Sequence, residues 1–174
     1  MEIRRIEKDL YASIKQYRKL MLENNSRFDG CFELDKYEDM EKWHLNLQLF
    51  ESEETLPPLY SRGYEYAFVD NNEVIGLINF RPDALNHPYL KQFGGHIGYS
   101  IRPDKRKLGY GSKILKMFLD VVKKEYDLDQ VLITCNESNI GSAKIIENNG
   151  GIYEGSIFCP SENENLRRYW IKLS

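Results

Sequence analysis

A strand–helix–strand segment between His96 and Cys135 constrains the fold more than any other part of this sequence. His96 to Arg102 sets Ile97, Tyr99 and Ile101 in alternation, the period of a strand. Tyr110 to Tyr126 carries Ile114, Leu115, Phe118, Val121 and Val122 at helical spacing, and Gln130 to Cys135 is a compact apolar strand. Two strands joined by a crossover helix are expected to pair in parallel through a right-handed connection. The flanking segments favour the opposite pairing. Tyr64 to Val69 and Glu73 to Phe80 enclose Asp70-Asn71-Asn72, the signature of a hairpin. Ile152 to Phe158 and Leu166 to Leu173 enclose a polar turn containing Pro160. The expected class is α/β, with a central mixed, mostly antiparallel β-sheet flanked by helices on both faces.

The remaining elements fit around that sheet. Glu2 to Glu7 reads as a short first strand. Leu10 to Asn24 repeats Leu10, Ile14, Tyr17, Leu20 and Met21 as a helical stripe, and Asp35 to Phe50 does the same with Tyr37, Met40, Trp43, Leu47 and Phe50. Glu51 to Gly63, with Pro57-Pro58, and Arg81 to Phe93, with two prolines, read as long loops. Asn139 to Asn148 is a short helix that Asn149-Gly150-Gly151 ends. No repeat or composition shift divides the chain, so residues 1–174 are expected to form one domain.

Composition narrows the partners. A formal net charge of -3 lacks the basic excess of nucleic-acid binders, and the run Arg102, Lys105, Arg106, Lys107 contains no aromatic for stacking. Cys31, Cys135 and Cys159 are isolated and odd in number, which suits free thiols in a reducing compartment. His44, His87 and His96 have no metal-ligand spacing. The opening MEIRRIEKDL lacks the apolar core of a signal peptide, and no apolar run approaches a membrane span. The expectation is a cytoplasmic protein without metal, membrane or nucleic-acid partner.

The turn between strand and helix carries the chemistry. In GHIGYSIRPDKRKLGYG, Gly95 to Gly111, cations and glycines converge where the helix opens, as in an anion cradle. A phosphate-binding P-loop fails on spacing, because Ser112-Lys113 follows Gly111 instead of Lys-Ser/Thr. A dinucleotide fingerprint fails because Arg102 to Leu108 separates the strand from Gly109 and Ile114 stands where a third glycine is needed. Arg106-x-x-Gly109-x-Gly111 instead resembles the acetyl-CoA signature of the GNAT N-acetyltransferases. Asn139-x-x-Ser142, followed by a helix ending at Gly150, is similar to the second half of that family's pattern.

The resemblance implies a GNAT fold and transfer of an acetyl group from acetyl-CoA to a primary amine within a ternary complex. It implies that Arg106, Lys107, Leu108, Gly109, Tyr110, Gly111 and Ser112 present amides and charge to the coenzyme's pyrophosphate. The two glycines would admit the backbone where a Cβ would collide or demand an unfavourable dihedral. Amides on the strand ending at Ile101 would polarise the thioester carbonyl. Asn139 and Ser142 would lie near the pantetheine arm or thiol, although Asn139 also reads as a helix cap. The family often places a tyrosine four residues after Ser142 as the acid, and here that position is Ile146.

His96 and Glu137 are the candidates for the base, each weighed against a structural role. Tyr99 and Cys135 read as core. The loops 51–63 and 81–93 and the N-terminal helices are expected to wall the acceptor side, where Glu51, Glu53 and Glu54 hint at a cationic amine. The acceptor is a small-molecule or peptide amine, and a homodimer is left open. The alternative is a CoA-binding sensor or interaction module of the same fold that has lost catalysis, a reading motivated by Ile146.

Overall fold

In the first hairpin, Asn71 and Asn72 both adopt positive φ (50° and 61°), the conformation of a two-residue type I′ turn. That turn joins β2 (Tyr64–Asp70) to β3 (Glu73–Phe80), which pair antiparallel with Glu65 opposite Asn79. β1 (Glu2–Arg5) adds antiparallel to the other side of β2, and β4 (Ile97–Ile101) joins beside β3, so the sheet order is β1-β2-β3-β4. These features come from a computed structural model that describes residues 1–173. It divides into two compact units: Met1–Arg81 with Gly98–Tyr110, and Pro82–Ile97 with the described chain from Gly111 onward.

In the first unit, α1 (Tyr11–Glu23) packs on β3 and on α2 (Met40–Leu49). Their stripes bury Ile14, Tyr17, Met21, Met40, Trp43 and Leu47 against Ala67, Val69, Val74 and Leu77 on one face of the sheet. Each such side chain contributes about 1.5–3 kcal/mol by leaving water, which fixes this face as interior. The helix expected over Asp35 to Phe50 is broken. Leu34–Lys36 forms a separate 3-10 turn, and Asp39 caps α2 by accepting from the amides of Glu41 and Lys42.

In the second unit, β5 (Gln130–Asn136), β6 (Ile152–Cys159) and β7 (Glu164–Lys172) form an antiparallel sheet ordered β5-β7-β6. α4 (Ile140–Asn148) packs on β5. α3 (Tyr110–Glu125) buries Ile114, Leu115, Phe118, Leu119 and Val122, whereas Val121, expected among them, is only half-buried. Leu119 takes that place, because four residues beyond Leu115 keeps it on the inward stripe. Within the expected loop 81–93, Ala84–Asn86 is a 3-10 turn, and Leu90–Gly94 forms one π-helical turn.

The expected parallel pairing of β4 with β5 does not occur among the described residues. Their seven strands fall in two sheets in which β4 neighbours β3 and β5 neighbours β7. The approach to β5 is made before β4 begins: His96 N–H donates to the Leu132 carbonyl at 2.7 Å, and the His96 ring accepts from Leu132 N–H. Those bonds use the Leu132 backbone at the point where a ladder would start. Among the described residues, no helix is long and apolar enough to cross a membrane.

Candidate active site

β4 ends at Ile101, and Pro103–Lys105 turns the chain as a 3-10 element. Arg102 fixes that turn from inside. Only 5% exposed, it donates to Asp104 at 2.8 and 3.0 Å and to Glu73 at 3.2 Å. Its bond holds the Asp104 carboxyl below the usual range. Arg106 folds back onto the strand, its Nε donating to the Ile101 carbonyl at 2.9 Å. Its first task is therefore to close the loop on β4, with charge supplied from a tethered guanidinium.

Lys107 (φ 60°) and Gly109 (φ 83°) are both left-handed, an arrangement that turns successive amides toward one side. A Cβ at Gly109 would meet nothing within 4 Å. Of the two reasons expected for glycine there, collision and dihedral, the dihedral one applies. Lys107 and Leu108 are exposed on the same turn. Tyr110 anchors the start of α3, donating its hydroxyl to Asp70 Oδ2 at 3.1 Å. A left-handed, glycine-bearing, basic turn running into a sixteen-residue helix suits an anionic pyrophosphate.

The next residues of α3 lie in the second unit. Gly111 is helical, and the Ser112 carbonyl accepts from Asn149 Nδ2 at 3.2 Å, which ties the first turn of α3 to the end of α4. Asn139 is the α4 cap, its Oδ1 accepting from Ser142 N–H at 3.0 Å. The Ser142 hydroxyl meets the Cys135 thiol. Burial pushes that thiol up to about 11, opposed by the Ser142 bond. Ile146 is fully buried. A phenol does reach this helix, but from β7: buried Tyr169 donates to Glu147 Oε1 at 3.1 Å, with Arg167 beside it. Burial first, and Glu147 second, hold that phenol above its ordinary pKa, whereas Arg167 opposes them.

The two residues proposed as base sit in different surroundings. His96 is 1% exposed, and its Nδ1 accepts from Leu132 N–H at 2.8 Å. A neutral ring in that bond carries its proton on Nε2 and has no spare lone pair, so the geometry argues against His96 as base. Glu137 lies beyond β5, where its carboxylate accepts from Ser156 at 3.4 Å and Asn165 at 3.2 Å. The acidic loop changes meaning too: Glu51 pairs with Arg5, and Glu53 lies 3.8 Å from Arg62. Tyr99, expected in the core, is only half-buried.

A polar cluster that the sequence reading missed lies inside the first unit. Glu65 is 2% exposed and accepts through Oε2 from Asn79 at 3.1 Å, while Arg81 donates to Asn79 Oδ1 at 2.6 Å. Tyr17, Cys31 and Ser100 form a second group, with Tyr17 2.7 Å and Cys31 3.0 Å from the Ser100 hydroxyl. The available signal was Glu65 and Asn79 interrupting two apolar runs at positions that a hairpin brings face to face.

The α/β architecture, with a basic, left-handed turn leading into a helix, is of the class that the family comparison defines more closely. A family model described as an acetyltransferase (GNAT) domain matches residues 17–152, and the chain belongs to that family. It is 29% identical over 111 residues to an uncharacterized N-acetyltransferase, YnaD, of Bacillus subtilis (strain 168). That match covers 60% of this chain and 65% of the relative. The fold is similar to a ribosomal L7/L12 alpha-N-protein acetyltransferase in complex with coenzyme A, there disulfide-bonded to a cysteine. The TM-score is 0.72 at 16% identity, covering 98% of this chain and 92% of that one. It is also similar to a dodecameric spermidine N-acetyltransferase from Vibrio cholerae, with a TM-score of 0.66 at 16% identity, covering 99% and 94%.

Proposed function

We propose that the chain, acting as one GNAT domain, transfers the acetyl group of acetyl-CoA directly to a primary amine of a small-molecule or peptide acceptor. The observation that carries this reading is the Arg106–Ser112 turn, whose left-handed Lys107 and Gly109 lead into α3. The coenzyme supplies an activated acetyl thioester. The Arg106–Ser112 turn holds its pyrophosphate, Arg106 keeps that turn on β4, and β4 up to Ile101 faces the thioester carbonyl. Asn139 caps α4, which fixes Ser142 for the thiol end. Glu137 is the proposed base.

Tyr169 takes the proton-donor role that Ile146 lacks, since its hydroxyl reaches α4 from β7 and bonds Glu147, the residue next to Ile146. Tyr169→Phe is expected to lower kcat about a hundredfold while leaving the calorimetric affinity for acetyl-CoA unchanged. An unaltered kcat removes Tyr169 from the reaction.

Fully buried Ile146 supports a second reading, a CoA-binding sensor without catalysis. A thiol-release assay with acetyl-CoA over amines, amino acids, polyamines and N-terminal peptides separates the two. Amine-dependent release supports transfer. Coenzyme binding with no release across that panel supports the sensor.

A further inference from the structure

Glu65 is a buried carboxyl left one hydrogen bond short. Its Oε2 is held by Asn79, whereas Oε1, shielded from solvent, has no hydrogen-bond partner among the described residues. A carboxyl withdrawn from water costs several kcal/mol unless donors or a cation replace its hydration, so an orphan oxygen in the interior needs an explanation. Its surroundings are built, not accidental. Asn79 stands opposite Glu65 in the β2–β3 register, and Arg81 grips the far side of that amide.

The same cluster reaches β4. A Cβ at Gly98 would stand 3.7 Å from Arg81 Nη1 and 3.2 Å from the Gly30 backbone. Residues 98–100 are half-buried, not sealed. The segment between α1 and α2 lies against them: Gly30 touches Gly98, and Cys31 bonds Ser100. Cys31 is also close enough for the Glu65 charge to raise its pKa, after the larger effect of burial. Four residues of this segment, Asn25, Gly30, Phe32 and Glu33, are left-handed, so its path is set by backbone turns.

We propose that Glu65 Oε1 is the recognition point for a cationic group of the acceptor, an ammonium or guanidinium admitted beneath the segment that carries Gly30 and Cys31. This inference rests on the acyl-transfer reading for the identity of the ligand as an acceptor. The group bound must donate hydrogen bonds, because the vacant position is an acceptor oxygen. Positive charge on that group strengthens the bond to a carboxyl, and Arg81 and Arg5, which act on Glu65 from nearby, leave Oε1 without a bonded donor. Two acidic residues of the 51–63 loop, Glu51 and Glu53, already face Arg5 and Arg62. Glu65 is a specificity residue here, and proton removal from the reacting amine remains with another group.

The test uses the full chain with diaminobutane and agmatine as cationic probes and butanediol as the uncharged control. Binding is read by calorimetry and thermal shift without acetyl-CoA, so the outcome does not depend on turnover. The wild type is expected to bind diaminobutane or agmatine more tightly than butanediol. Glu65→Gln is expected to weaken that binding about a hundredfold, with acetyl-CoA affinity unchanged. Glu65→Met, which keeps the volume and removes every polar atom, serves as a second variant, with circular dichroism confirming that each is folded. Equal affinity for all three probes in the wild type, or unchanged affinity in both folded variants, overturns the proposal. Cationic binding lost in the variants, with no acetyl transfer in the wild type, upholds the site and instead refutes the acyl-transfer reading.

Discussion

Gly111→Glu is expected to weaken acetyl-CoA binding about a hundredfold or more while leaving the protein folded. Gly111 is in the first turn of α3, where a carboxylate interacts favourably with the helix dipole and costs the fold little. The same carboxylate would face the pyrophosphate that the turn is proposed to hold. Like charges about 6 Å apart at an effective dielectric constant near 20 repel by about 2.8 kcal/mol, which is roughly the stated factor. Calorimetry with coenzyme A and acetyl-CoA reads the loss, and the unliganded melting temperature reports on the fold. Wild-type affinity in a folded Gly111→Glu protein would place the pyrophosphate elsewhere.

The second large effect concerns stability. In Gly30→Ala, the new Cβ would stand 2.3 Å from the Gly98 carbonyl carbon and 2.4 Å from Tyr99 N, all backbone atoms that cannot swing aside. Gly30 also sits at φ 68°, which an alanine adopts at a cost of about 1–2 kcal/mol. With overpacking at about 1–3 kcal/mol, the expected loss is about 3 kcal/mol, or roughly 6–12 °C in Tm for a chain of this size. Denaturant titration and thermal melting measure it. A loss below about 1 kcal/mol would show that the segment lifts off β4 at little cost. Such an outcome would also mean that the cover over Glu65 opens readily.

The sequence carried the elements because their causes are local. The stripe of α3, the Asn pair of the first hairpin and the Asn139 cap each depend on residues within a few positions of one another. The turn from Arg106 to Ser112 was legible for the same reason, since Lys107 and Gly109 take their backbone shape from one short stretch. Pairing was less visible. Whether β4 bonds β5 depends on how Gly95 and His96 meet Leu132, a contact between residues far apart in the chain. His96 shows the same limit: its titration range suggested a base, but its bond to the backbone amide of Leu132 joins residues far apart in the chain. Glu65 and Tyr169 were overlooked because each reads as an ordinary strand residue until its cross-strand or helix partner is in place.

The clamp at Asn149 has a chemical consequence beyond holding two helices. Asn149-Gly150 is a dipeptide prone to spontaneous deamidation, in which the glycine nitrogen attacks the asparagine side-chain carbonyl and ammonia departs. In the fold both participants are occupied. Asn149 Nδ2 donates to the Ser112 and Ile145 carbonyls at 3.2 and 2.8 Å, and Gly150 N–H donates to Glu147 at 3.0 Å. Ageing at this site therefore requires the end of α4 to fray first. Once the resulting aspartate forms, it cannot donate to Ser112 and leaves a negative charge at the helix C-terminus. Damage thus loosens the first turn of α3, where the proposed coenzyme cradle ends, and the protein's shelf life is coupled to the integrity of that one turn.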